Sequence, residues 1–139
     1  RNQTSRDMPT AVDTVRVIDT SSSGPVLPII EKNGEARAVL WPGNGARFRS
    51  FQLISLSEDG STEALSHASD CVYYVIAGEG EIVDLGSDVV SPLTEGTMVH
   101  IDAGDAYRLR SAAGIRILGG PCPPDPALYA ALATMEGAV

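Results

Sequence analysis

Across residues 35–118 the chain alternates apolar and polar side chains in short bursts, and nearly every burst is closed by glycine, proline, aspartate or asparagine. Successive side chains of a strand point to opposite faces, so a period of two marks half-buried strands rather than helices. The bursts are "EARAVLW" (35–41), "ARFRSFQLISL" (46–56), "STEALSH" (61–67), "DCVYYVI" (70–76), "EIVDL" (81–85), "GTMVHID" (96–102), "AYRLRSA" (106–112) and "GIRILGG" (114–120). Between them stand "PGNG", "SEDG" and "AGEG"; the last reads as a tight turn, its glycines supplying the positive φ that hairpins need. Many short strands with regular punctuation build a sandwich or a barrel.

The ends differ from the middle. Residues 1–13 are polar and irregular, "TVRVID" (14–19) alternates like one more short strand, and "SSSGP" breaks the chain after it. At the other end "PCPPDP" (121–126) reads as a rigid exit from the β region. Asp125 is a helix cap, Pro126 fits the first turn, and Leu128, Ala131 and Leu132 make an apolar stripe. The expected organisation is an arm over residues 1–34 with a short strand, a β barrel over 35–120, and a helix within 121–139 packed on the barrel.

Composition removes several classes of function. With 139 residues there is one domain and one core, so a site lies inside it or between subunits. The formal net charge of -8 comes without any cluster of Lys or Arg, which argues against nucleic acid and anionic membranes as partners. No apolar run approaches a membrane span, and the start of the chain has no signal-peptide core, so a cytoplasmic protein is expected. Two cysteines, Cys71 and Cys122, do not make a disulfide framework; two free thiols are expected.

Two stretches carry chemistry. In "GTMVHIDAGDAYRLRS" (96–111), Gly96, Asp102, Gly104, Tyr107 and Ser111 keep the spacing of a Gly, five residues, a Pro, one residue, a Gly, two residues, a His, three residues and an Asn. In "HASDCVYYVIAGEGEI" (67–82), anchoring on Gly78 aligns Leu65, His67 and Cys71 with a His-x-His and the Glu that follows it. Gly60 opens this first motif one residue closer than the pattern has it. Paired in this way, the two motifs resemble those of the cupin superfamily over roughly residues 36–120.

The resemblance implies an all-β, double-stranded β-helix (a jelly-roll barrel) with a short C-terminal α-helix, an active site in the barrel and a homodimer. It also implies that four metal-ligand positions are held here by Leu65, His67, Cys71 and Tyr107. Leucine ligates nothing, and a phenol is an uncommon third ligand beside a His and a thiolate. No metal and no cofactor are therefore expected. Metal-free members such as the deoxysugar epimerases use a His base and a Tyr acid, and by analogy of role His67 and Tyr107 are the catalytic candidates, acting as base and acid on opposite sides of a substrate.

Strand alternation puts Glu63, Leu65 and His67 on one face and Cys71, Tyr73 and Val75 on another, so Cys71, Tyr73, Leu65 and Glu63 are expected to line the pocket. Arg49 shares a strand face with Arg47 and is the candidate for a substrate carboxylate, the alternative being a solvated side chain. Asp70 is a weaker candidate to orient His67, and His100 reads as a rim or structural residue. Each of these has a plain structural reading too: His67 as a core imidazole, Cys71 as a small buried hydrophobe, Tyr107 as a space-filling ring. Three functions remain: a metal-independent isomerase, lyase or cyclase that moves a proton on a small organic substrate, a non-catalytic barrel that binds a small molecule, and a metal-dependent cupin using His67 and Cys71.

Overall fold

The computed structural model describes residues 15–21, 24–130 and 132. Six strands, β1 (Ile30–Leu40), β2 (Phe51–Thr62), β3 (Cys71–Asp84), β4 (Val89–Thr94), β5 (Met98–Ile101) and β6 (Tyr107–Pro121), form one antiparallel sheet in the order β1-β2-β6-β3-β4, with β5 also paired to β3. A 3-10 turn, Pro42–Asn44, follows β1, and a helix, α1 (residues 126–130), follows β6. The sheet curls around one core to which every strand contributes, the short β4 and β5 adding one buried residue each, Leu93 and Ile101. Ile54, Ile117 and Val75 stand in one row across β2, β6 and β3, each fully buried. Burial of each such side chain contributes about 1.5–3 kcal/mol relative to exposure.

The strands are fewer and longer than the alternation predicts. "AGEG" is not a hairpin turn but lies inside β3, where the register against β6 slips between Val75 and Ala77. Gly78 has φ 81, and a Cβ there would stand 2.3 Å from the Gly114 carbonyl oxygen. The glycine therefore serves a bulge that bends the strand around the core. "SEDG" is likewise absorbed into β2 as a bulge, with Asp59 at φ 57, and "AYRLRSA" and "GIRILGG" are one bent strand, β6. These bends let one strand serve both ends of the rolled sheet: β3 pairs β5 through residues 71–74 and β4 through residues 79–84.

Other expectations are corrected as well. Strand β4 contains Pro92 in a run of turn formers and reads as a loop, but it is an edge strand, where a missing N–H is tolerated. Residues 46–50 form no strand, so Arg47 and Arg49 share no strand face, and both are exposed. Residues 63–67 form no continuous strand; only Leu65 bridges to Tyr107. Residues 16–19 of "TVRVID" have no regular secondary structure, with Val17 96% exposed, and Thr14 lies outside the described residues, as do residues 1–13 and Ala131 of the helix stripe. No helix among the described residues is long and apolar enough to cross a membrane.

Candidate active site

The segment between β2 and β3 is pinned to the start of β6 and the loop before it, chiefly by backbone hydrogen bonds. Leu65 and Tyr107 exchange N–H···O bonds of 2.8 Å in both directions, and the Gly104 N–H donates to the His67 carbonyl at 2.8 Å. Leucine at the first ligand position thus still has a part in the site, through its backbone. The pinning holds alternate side chains, Leu65 and His67, inward and leaves Glu63 exposed. Glu63 is therefore not part of the lining.

Four buried polar groups form one hydrogen-bonded chain. The Tyr107 hydroxyl lies 2.8 Å from His67 Nε2 and 2.6 Å from the Tyr73 hydroxyl, and His67 Nδ1 lies 3.3 Å from Asp125 Oδ2. The side chains of His67 and Asp125 are only 4% and 7% exposed. Because the Asp125 carboxylate accepts, the imidazole carries its proton on Nδ1; Nε2 then accepts from the Tyr107 O–H, whose oxygen in turn accepts from Tyr73. Cys71 Sγ sits 3.8 Å from the Tyr107 hydroxyl, beside the chain rather than in it.

Asp125 was legible only as a helix cap, and it is one. Its Oδ1 accepts from the Ala127 N–H at 3.0 Å at the start of α1, while Oδ2 faces His67 and the Ala68 N–H at 3.4 Å. One carboxylate therefore fastens the helix to the site. Asp70 does not orient His67: its Oδ1 accepts from the Ala103 N–H at 2.9 Å, and its Oδ2 stands 3.8 Å from exposed His100.

Burial sets the proton affinities. It lowers the pKa of His67, against the opposing pull of Asp125, so the imidazole is neutral near pH 7. It raises both Tyr73 and Tyr107 far above the usual phenol range. It also pushes the Cys71 thiol up to about 11, so this cysteine is a buried, protonated thiol rather than a nucleophile, and neither it nor Leu65 lines the cleft beside Tyr107.

A cleft of about 220 Å³ opens beside this chain, where Ile82, Val89, Val99 and Ile101 meet Tyr107. Of the four chain members only Tyr107 lines it. His67 and Tyr107 are in direct contact, so a substrate does not sit between them; Tyr107 is the member that borders the cleft, and His67 does not line it. Arg49 lies outside the cleft.

Metal centres are frequent in this architecture, and the donor set here does not fit one. Leu65 offers no donor, both His67 nitrogens are engaged, and the Cys71 thiol keeps its proton. Among the described residues no group of three or more His, Cys, Asp or Glu side chains is placed to hold an ion.

No protein-family model matches the chain, and no curated protein matches it in sequence. Solved structures do match. The polyketide cyclase RemF from Streptomyces resistomycificus superposes with a TM-score of 0.69 at 16% identity, over 81% of this chain and 82% of that one. An RmlC-like cupin from Shewanella frigidimarina gives 0.63 at 13% identity, over 79% and 93%. Ectoine synthase from P. lautus gives 0.56 at 25% identity, over 70% of each chain. The rolled antiparallel sheet, the two spacing motifs on its inner strands and these superpositions together identify the chain as a protein of the cupin fold.

Proposed function

We propose that this protein is a metal-independent enzyme of isomerase, lyase or cyclase type, moving a proton on a small organic substrate held in the cleft beside Tyr107. The observation that carries this reading is the buried contact of 2.8 Å between the Tyr107 hydroxyl and His67 Nε2, with Asp125 on the other ring nitrogen. A phenol raised this far does not ionise alone. It accepts a substrate proton only as its own proton passes to neutral His67, whose imidazolium is then stabilised by Asp125. Reversal delivers the proton to another substrate atom, so the relay ends as it began. The Tyr73 hydroxyl donates to the Tyr107 oxygen and stabilises the charge that develops there. That a polyketide cyclase and an ectoine synthase share the fold supports a catalytic role.

Proton transfer is tested without knowing the product. A panel of small carbonyl compounds incubated with the protein in D2O should include one whose α-protons exchange, as read by NMR, and Tyr107→Phe should slow that exchange by at least about 100-fold. Exchange that survives Tyr107→Phe overturns the mechanism. A binding barrel without turnover is the second reading, favoured by the way the four polar groups satisfy one another with no ligand. It predicts ligand-induced thermal stabilisation with no exchange in any compound.

A further inference from the structure

The cleft is where the proposed chemistry opens toward solvent, and its charge is one-sided. Three carboxylates, Asp84, Asp102 and Asp105, line it, while no Lys or Arg does. The nearest arginines along β6 alternate away from Tyr107 and are engaged elsewhere: Arg108 Nε donates to the Thr62 carbonyl at 3.2 Å, and Arg110 Nε to Glu81 at 2.8 Å. Asp84 Oδ1 accepts from the Gly86 N–H at 2.9 Å, and Asp102 stands 3.5 Å from His100, which Asp70 also faces. Asp105 has no side-chain hydrogen bond or ion pair among the described residues. The rest of the wall is aliphatic apart from Ser91, His100 and the neutral Tyr107.

We infer that the cleft takes a small organic cation, a protonated amine on an apolar body, and rejects carboxylates and phosphates. This rests on the cleft being the site proposed above and names the class of substrate it admits. Low-dielectric walls focus the field of the three acids into the opening, so an anion entering it meets repulsion with no guanidinium or ammonium to offset it. An ammonium group at the acidic rim leaves its hydrocarbon part against Ile82, Val89, Val99 and Ile101. The expected carboxylate contact at Arg49 is thereby replaced by its electrostatic opposite.

Binding of three molecules of nearly equal shape, n-butylammonium, 1-pentanol and n-pentanoate, tests the inference through amide shifts of Asp105, Ala106 and Tyr107 in a ¹⁵N-labelled sample at low salt. Butylammonium should bind about tenfold tighter than pentanoate, and 0.5 M salt should remove most of the difference. Asp84→Asn with Asp105→Asn should abolish the preference. Glu31→Gln with Asp59→Asn, an equal change of charge away from the cleft, should leave it. Pentanoate binding as tightly as butylammonium, or the two double variants behaving alike, overturns the inference. Failure of all three probes to shift any cleft resonance overturns both the inference and the proposed site. A charge preference without deuterium exchange in the carbonyl panel overturns only the proposed catalysis.

Discussion

Replacing Tyr107 by Phe removes one oxygen and keeps the ring, so its cost can be worked from the contacts that oxygen makes. It is 2.8 Å from His67 Nε2 and 2.6 Å from the Tyr73 hydroxyl, and all three groups are buried. The variant leaves the Tyr73 O–H with only the weakly accepting Cys71 sulfur and a His67 nitrogen without a donor. Each orphan costs about 1–3 kcal/mol, offset in part because the Tyr107 hydroxyl is itself no longer desolvated, for a net loss of about 2–4 kcal/mol. With 139 residues the unfolding entropy is roughly 0.3 kcal/mol/K, so Tm should fall by about 7–14 °C. The decisive comparison is Tyr73→Phe with Tyr107→Phe. The double variant removes the Tyr73 orphan together with its partner, so it should cost about 1–3 kcal/mol less than the sum of the single variants. Urea denaturation followed by circular dichroism gives all three values. A Tyr107→Phe loss under about 0.5 kcal/mol, or a strictly additive double variant, would refute the hydrogen-bonded chain.

Four further outcomes are expected. Because burial lowers the His67 pKa below 6.5, the unfolded chain binds the proton first; stability should fall as pH drops below about 6.5, and His67→Gln should flatten that slope in urea titrations. With its folded pKa near 11, Cys71 keeps its proton when the unfolded thiol loses it, so stability should also fall from about pH 9 upward; at pH 8 only one thiol, that of half-buried Cys122, should react readily with a disulfide reagent in the native protein. Purified protein should hold well under one equivalent of transition metal by mass spectrometry, and a chelator should leave Tm unchanged; a tightly held stoichiometric ion would restore the metal-dependent reading. We propose a homodimer through the outward row of Leu118, Tyr74 and Met98, which are register neighbours across β6, β3 and β5; Tyr74→Glu should give the monomer mass in light scattering, and a wild-type monomer at micromolar concentration would count against it.

The sequence by itself determined the all-β class, the cupin spacing and several of the side chains that meet inside the barrel. Alternation is a local property, and it correctly put Leu65, His67, Cys71 and Tyr73 indoors and Tyr74 out, with Tyr73 1% and Tyr74 45% exposed. Spacing was enough to place His67, Cys71 and Tyr107 at one point, because the motifs encode where strands of a rolled sheet cross. What a single strand cannot show is whether a glycine ends it or bends it. Gly78 reads as part of a turn, and only the approach of β3 to β6 makes it a point where a long strand curves around the core. Asp125 could not be assigned to the site from its neighbours, since capping a helix explains an Asp before a Pro completely. Its second oxygen reaches His67 across 58 residues of sequence. The placement of Tyr107 beside His67 came about in the same way. Sequence set it opposite His67 across a substrate, but the bridge between Leu65 and Tyr107 brings phenol and imidazole into contact, which is why the proposed mechanism uses them as a relay rather than as a clamp.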